Sequence, residues 1–313
     1  MEYLLTYGWA ILIIALVIGV LFWLGLFSTS GIIRGAEPGS CSVYRPVGRG
    51  ANQGAGLIGT CTGTPPEYVM SFHNETPYGQ ITIRDTLVNT AARGYNTVTF
   101  WMYWNKKIGG YNGPIPFAFL GAPGGASYTL LINYGCLGFN TARGDSFGTE
   151  VDGPGRQVQM GNNWTFVAAE FFNGHYGENS PNNNVSIYIN GVNGTQINYN
   201  FNGNKSLEWC GQAPPHINAT ANDSIYISGW NKAGDNFVGM LSNIQVYNST
   251  LSANDIMDLY DGGVGGAPID IYHLAGWWPL NGNINDYSGN GYGGNVSVGL
   301  QFNSSWLGTY TYS

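Results

Sequence analysis

The amino-acid sequence predicts a mainly β protein in which a long hydrophobic α-helix precedes an antiparallel β-sandwich. Three observations carry this prediction. Residues 3–27 contain no charged side chain, which is typical of a helix buried on all sides. Downstream, short segments of alternating apolar and polar residues are separated by turns rich in Gly, Asn and Pro. The chain is 43% hydrophobic and 14% aromatic, which is enough to bury a core and argues against disorder.

Charge is scarce along the whole chain of 313 residues. Asp, Glu, Lys and Arg make up 9% of it, whereas globular domains carry about 25%. The charge that remains is acidic, with a formal net charge of −7 and a pI near 4.9. Because phosphate binding needs clustered Lys and Arg, this balance argues against a nucleic-acid partner.

The apolar run at residues 3–27 has three interpretations. As a helix it would measure roughly 38 Å, and a bilayer core is about 30 Å thick. A cleaved signal peptide would begin with basic residues, and none precedes the run. A membrane anchor keeps positive charge on the cytoplasmic side, yet the first basic residues, Arg34, Arg45 and Arg49, follow the run. Removal of a basic leader, the third interpretation, would resolve that conflict.

The segment EYLLTYGWA at residues 2–10, followed by Ile, Leu and Val, resembles the mature N-terminus of archaeal class III, type IV pilin-like proteins. In that family a basic leader is removed and the apolar helices pack together as a filament core. A Glu commonly stands fifth in the mature chain, whereas here it stands second. The resemblance implies a self-assembling helix whose core positions are Glu2, Tyr3, Leu4, Leu5, Tyr7, Trp9, Ile11, Leu12, Ile14, Leu16, Ile18, Leu21, Phe22, Leu24 and Phe27.

The single charge of this segment, Glu2, suits the first turn of a helix, where the helix dipole favours a carboxylate. Buried among apolar helices, the carboxylate would need a partner, and the N-terminal amine of a neighbouring copy is one. The alternative is a solvated Glu2 outside a bilayer.

Four cysteines, Cys41, Cys61, Cys136 and Cys210, allow three disulfide pairings, and the sequence does not choose among them. A Cys41–Cys61 bond would staple a Gly-rich segment, and Cys136–Cys210 would then cross-link the larger domain. No Cys-x-x-Cys pair or Cys/His cluster suggests zinc. An oxidising, extracellular location explains the cysteines most simply.

Asparagine is abundant, and many asparagines begin the N-x-S/T sequence that accepts N-linked glycans. Sugars at these positions would solvate a surface that carries little charge. The ten sequons, a clear excess over chance, begin at Asn74, Asn163, Asn184, Asn193, Asn204, Asn218, Asn222, Asn248, Asn295 and Asn303.

Alternation and turn residues predict a series of short strands and one short helix. The helix starts after Ser252 as N-cap, with Asp255 at the third position, and ends at Gly262 and Gly263. Leu251 is expected to contact Ile256 across its first turn. The predicted strands cover residues 68–73, 80–84, 97–104, 116–120, 128–133, 164–172, 185–189, 224–228 and 238–247.

These elements occur in an order that resembles the laminin-G-like, concanavalin-like jelly roll. NTVTFWMY at residues 96–103 resembles the aromatic core strand of that family. NWTFVA at 163–168 and SIYING at 186–191 resemble its paired inner strands. FVGMLSNIQVY at 237–247, with the helix that follows, resembles its closing strand and helix. The resemblance implies a jelly-roll fold for residues 67–313.

One segment departs from the family order. GWWPLNGN at residues 276–283 and DYSGNG at 286–291 resemble the opening of such domains, yet they lie near the C-terminus. Residues 274–302 would therefore close their own sandwich as permuted strands, or complete the sandwich of a neighbouring copy.

Catalytic motifs are not found. Glycosidases need two carboxylates about 5–10 Å apart, and Glu150-Val151-Asp152 starts such a pattern, but Gly153-Pro154-Gly155 turns the chain next. The four histidines lie far apart. Asp286, Ser288 and Asn290 have the first half of a calcium-loop spacing, but the twelfth position is Ser297 instead of Glu, so a simple turn is the favoured interpretation.

The sequence thus predicts three parts: a hydrophobic helix at 1–30, a Gly-rich connecting segment at 31–66 and the sandwich at 67–313. We expect a non-enzymatic structural subunit of an extracellular type IV pilus-like filament on the cell surface. Its partners would be copies of itself and surface glycans, with a membrane contact only before assembly. We expect no cofactor, with calcium the only metal candidate. The alternative is a membrane-anchored, glycan-binding adhesin that does not polymerise.

Overall fold

The computed structural model describes residues 2–23, 35–73, 79–84, 86, 95–105, 114–120, 127–133, 136–140, 146–150, 161–172, 184–193, 224–229, 236–296 and 300–310. The chain divides into two compact units, Met1–Gly35 and Ala36–Ser313.

The first unit contains helix α1, Glu2–Trp23. Four successive residues of α1, 11–14, expose between 55% and 68% of their surface. Because successive helical residues are rotated by about 100°, these four positions cover the whole circumference. The surface of α1 is therefore apolar on every side. Among the described residues, no helix is both long enough and apolar enough to cross a membrane.

The second unit is built from antiparallel strands in two large sheets and one hairpin. In chain order the strands are β1 (Cys41–Tyr44), β2 (Gly56–Gly59), β3 (Val69–Phe72), β4 (Ile81–Ile83), β5 (Tyr95–Trp104), β6 (Phe117–Leu120), β7 (Ser127–Asn133), β8 (Cys136–Asn140), β9 (Ser146–Glu150), β10 (Trp164–Phe172), β11 (Asn184–Ile189), β12 (Val192–Asn193), β13 (Ser224–Ile227), β14 (Gly239–Tyr247), β15 (Leu274–Trp278), β16 (Gly294–Val296) and β17 (Leu300–Asn303).

The larger sheet has the order β12-β11-β10-β5-β14-β3-β17, with β15 also paired to β14. The other sheet has the order β16-β4-β13-β6-β7-β8-β9. Apolar side chains of both sheets form one core, in which the rings of Phe100 and Phe117 stack with centroids 6.3 Å apart. The antiparallel sandwich predicted from alternation and turn residues is therefore confirmed.

Helix α2, Ala253–Asp261, covers part of the outer face of the larger sheet. The capping box predicted at its start is confirmed, because Ser252 Oγ accepts from Asp255 N and the Asp255 carboxylate accepts from Ser252 N. Near the C-terminus a 3₁₀ helix, Trp306–Thr309, buries its indole on the same outer face.

The strands of residues 274–302 pair within the same chain. β15 pairs with β14, β16 with β4 and β17 with β3.

The segment before β3 is part of the compact unit. Its hairpin, β1–β2, is closed by a Cys41–Cys61 disulfide, one of the pairings that the sequence left open. The buried Arg45 guanidinium donates to the carbonyls of Ser288, Ile271 and Leu274, which ties the hairpin to the C-terminal segment. These contacts join the Gly-rich segment to the sandwich, and both belong to the compact unit Ala36–Ser313. Of the other two cysteines, Cys210 lies outside the described residues.

Candidate functional site

A cleft opens between the segment before β3 and the end of β15. We call it the threonine cleft, because hydroxyl side chains line one wall. Its polar lining consists of Glu37, Ser40, Thr60, Thr62, Thr64, Asn243 and Asn281.

Two close backbone approaches shape the cleft. The turn at Gly265 lies very close to the backbone of Thr64. A Cβ added at Gly265 would be 1.9 Å from the Thr64 carbonyl oxygen. Only glycine permits this approach. On the other side the Cys41–Cys61 disulfide fixes the spacing between Ser40 and Thr60, and Thr60 N donates to the Ser40 carbonyl.

The amides on the floor are already engaged. Asn243 Nδ2 donates to Gly266 O at 2.7 Å, and its Oδ1 accepts from the Trp277 indole at 2.8 Å. Asn281 Oδ1 accepts from Tyr68 N, and its Nδ2 donates to the Ala36 carbonyl. These residues build the cleft, which leaves the hydroxyl wall and Glu37 as the groups that a ligand would meet.

The cleft is small. Its volume is about 40 Å³, and one ordered water needs about 10–15 Å³. The cleft therefore admits a few groups the size of a hydroxyl, not a buried sugar ring. On its wall the hydroxyls of Thr62 and Thr64 lie 2.8 Å apart, and each can donate or accept.

Sequence reasoning missed this cleft. The run Thr60-Cys61-Thr62-Gly63-Thr64 places a hydroxyl at every second residue, and this was the available signal. The partners across the cleft, Asn243 and Asn281, lie far away in sequence.

The calcium candidates form a tight turn. Asp286 accepts from the backbone of Trp277, Ser288 and Tyr292 and from the Ser288 hydroxyl, at 2.8–3.1 Å. Asn290 Nδ2 donates to Leu274 O and Ala275 O. Asn290 Oδ1 accepts from Gly50 N at 2.8 Å. The bonds to the Asp286 and Asn290 oxygens use lone pairs that a cation would need, so the geometry favours a turn. Among the described residues there is no group of three or more His, Cys, Asp or Glu that could hold a metal.

The other predicted positions are spread over the chain. Asn163, Asn193 and Asn295 are exposed, and Asn248 and Asn303 are half-buried. Trp9, Ile11, Leu12, Ile14, Leu16 and Ile18 are exposed on α1. Glu150 ends β9 and His273 pairs with Asp270. The structure does not describe the side chains of the remaining positions. These are the sequon residues Asn74, Asn184, Asn204, Asn218 and Asn222, the helix positions Glu2, Tyr3, Leu4, Leu5, Tyr7, Leu21, Phe22, Leu24 and Phe27, and Asp152, His175 and His216.

A buried carboxylate lies beneath the start of α2. Glu170 is 8% exposed and accepts from Leu251 N at 2.8 Å. Burial raises the pKa of Glu170, and the hydrogen bonds from Leu251 and from the Tyr188 hydroxyl oppose that change.

No model of a known protein family matches this chain, and no curated protein matches it in sequence. Solved structures of similar shape include a heptameric SAP-like pentraxin from Limulus polyphemus, at 12% identity and a TM-score of 0.46, with 75% of this chain and 94% of the pentraxin covered. A putative carbohydrate-binding protein from Bacteroides ovatus is similar at 16% identity and a TM-score of 0.45, with 79% and 66% covered.

A third similar structure is domain 4 of an extracellular arabinanase from Geobacillus stearothermophilus, in complex with arabinotriose, at 18% identity and a TM-score of 0.39. The alignment covers 70% of this chain and 86% of that domain. The antiparallel two-sheet architecture is established by the strand pairing of the chain itself, independently of these similarities. The resemblance of the N-terminal segment to pilins stays a prediction.

Proposed function

We propose that this chain is an extracellular, non-enzymatic adhesin, held at the cell surface by α1 and binding glycans with its β-sandwich. The observation that carries the proposal is the fully apolar circumference of α1, whose described large side chains are exposed by 43–68%. Such a surface needs an apolar environment on every side, since burying each Leu or Ile contributes about 1.5–3 kcal/mol. Attachment through α1 leaves the disulfide-bonded sandwich to meet external ligands.

The threonine cleft supports glycans as the ligand class. Its free wall offers hydroxyls and the carboxylate of Glu37, and these groups can donate to and accept from sugar hydroxyls. Its small volume suits the edge of a terminal sugar. Loops and clefts on a rigid scaffold are where binding residues concentrate.

The test is glycan-array binding by the full chain in detergent. Thr62→Val keeps the side-chain shape and removes one hydroxyl from the cleft wall. Thr82→Val, on β4 outside the cleft, is the matched control. We expect selective binding that Thr62→Val weakens about tenfold, which corresponds to roughly 1.4 kcal/mol, while Thr82→Val leaves it unchanged. Equal binding by the two variants, or no glycan bound by the wild type, would contradict the proposal.

A second candidate function is a filament subunit in which copies of α1 cover one another. The observation that favours it is again the apolar circumference of α1, together with the charge of Glu2 in the first turn. Electron microscopy of surface appendages from cells producing the chain tests it. Helical filaments containing the chain would support it, and only dispersed particles in detergent would exclude it.

A further inference from the structure

Three outer strands of the two large sheets each contain a sequon asparagine. Within the described residues the outer strands of the larger sheet are β12, β17 and β15, which pairs only with β14, and β16 is an outer strand of the other sheet. Asn193 lies in β12, Asn295 in β16 and Asn303 in β17. Among the described strands that have neighbours on both sides, β11 alone contains a sequon. That sequon begins at Asn184, outside the part of β11 that pairs with β12. The sequons are therefore concentrated at the sheet edges.

All three asparagines lie on outer faces of the sandwich. Asn193 is opposite Tyr188 and Asn303 is opposite Val69, and both partners belong to the outer hydrophobic cluster. Asn295 is opposite Thr82, between the core residues Ile81 and Ile83. Directly opposite residues share a face, so a group attached at these positions points away from the core between the sheets. Asn193 and Asn295 are exposed there, and Asn303 is half-buried.

These edge strands are short, which limits pairing with another chain, but they lack the charge and proline that usually protect an edge. The strands VN, GNV and LQFN contain no charged residue and no proline. Val192 is 60% exposed, Val296 47% and Phe302 37%. An uncharged edge with exposed apolar side chains is a template for strand addition and aggregation. Of the other two described outer strands, β15 is buried along its length and β9 ends on the charged Glu150.

We propose that N-linked glycans on Asn193, Asn295 and Asn303 guard the sheet edges against strand addition. In this modification Nδ2 of each asparagine bonds to the anomeric carbon of an oligosaccharide carried on a lipid diphosphate. The bond between that carbon and the diphosphate oxygen breaks, the lipid diphosphate leaves with the electron pair, and Nδ2 releases one proton. The remaining N–H of Asn303 keeps its contact with Met240 Sδ, 3.4 Å away. A bulky, hydrated group then takes the place of the missing edge charge.

The experiment compares Asn→Gln variants of the full chain, produced in a host with N-glycosylation and kept in detergent that covers α1. The test variant combines Asn193→Gln, Asn295→Gln and Asn303→Gln. Asn163→Gln is the matched control, because Asn163 is an exposed sequon beside the interior strand β10. Mass spectrometry reports occupancy, and light scattering with a cross-β dye reports edge pairing.

We expect glycans at the three edge sites and a severalfold rise in dye-positive aggregate for the triple variant, with Asn163→Gln resembling the wild type. Enzymatic removal of glycans from the already folded wild type should give the same rise, which separates edge protection from a folding defect. Edge sites that carry no glycan would overturn the inference. So would a deglycosylated wild type that aggregates no more than the Asn163→Gln control. Neither readout depends on glycan binding by the threonine cleft, so failure of the proposed function leaves this test intact.

Discussion

Replacing Asp286 by alanine tests whether this carboxylate organises the turn or holds a cation. The change leaves the buried N–H groups of Trp277, Ser288 and Tyr292 without their acceptor. Each buried donor without a partner costs about 1–3 kcal/mol, so we expect a loss of about 3–9 kcal/mol. At roughly 2–4 °C per kcal/mol for a domain of this size, Tm should fall by about 6–36 °C.

The assay is thermal unfolding followed by circular dichroism, in buffers with calcium and with EDTA. Asn285→Ala, at an exposed neighbouring position, is the control and should change Tm by less than about 2 °C. We expect the Asp286→Ala loss to be the same in both buffers. A wild-type Tm that falls in EDTA, while the Asp286→Ala Tm does not, would refute the argument and make Asp286 a calcium ligand. So would an Asp286→Ala Tm indistinguishable from that of the control.

Three further predictions concern stability. Gly276→Ala should lower the free energy of unfolding by about 1–3 kcal/mol in chemical denaturation, because the added Cβ would lie 2.1 Å from the buried indole of Trp278. The control Gly293→Ala, whose Cβ would have nothing within 4 Å, should lower it by less than about 1 kcal/mol. Equal losses in the two variants would contradict the steric explanation. The Cys41→Ser, Cys61→Ser double variant should lose about 2–4 kcal/mol relative to the disulfide-bonded wild type. The reduced wild type should match the variant. Because burial raises the folded pKa of Glu170, the folded state binds its proton more tightly than the unfolded chain. The stability of the wild type relative to Glu170→Gln should therefore fall as the pH rises from the pKa of Glu170 in the unfolded chain through its pKa in the folded state. A stability difference between the two proteins that does not change with pH would be inconsistent with this.

Long strands and capped helices were predictable from the sequence. The strand at Trp164–Phe172 matches its predicted bounds because aromatic and β-branched residues run between polar turns. The start of α2 was predictable because Ser252 and Asp255 satisfy each other across one helical turn. Both signals are local, and local chemistry is what a single sequence contains.

Short, exposed strands were not predictable. β2 has three exposed residues out of four, so its side chains show no alternation between buried and exposed positions. β12, β16 and β17 have two to four residues each, too short for a period to appear. The threonine cleft also escaped prediction, because it forms where the segment before β3 meets residues of β14 and β15. The spacing from Asp286 to Asn290 fits both a calcium loop and a turn, and only the positions of the donors distinguish the two.

The point at which the chain enters the sandwich has a mechanical consequence. Ala36 bridges to Pro66, its N–H donates to Pro65 O, and its carbonyl accepts from Glu67 N and Asn281 Nδ2. Tension applied through the N-terminal segment therefore passes from Ala36 directly into β3, between β14 and β17 in the larger sheet. The residues between 36 and 66 bear none of this load, and the Cys41–Cys61 bond prevents most of them from unravelling if the bridge opens. Fully drawn out, they would lengthen the tether by about 100 Å. Under such tension the chain would thus remain short and stiff.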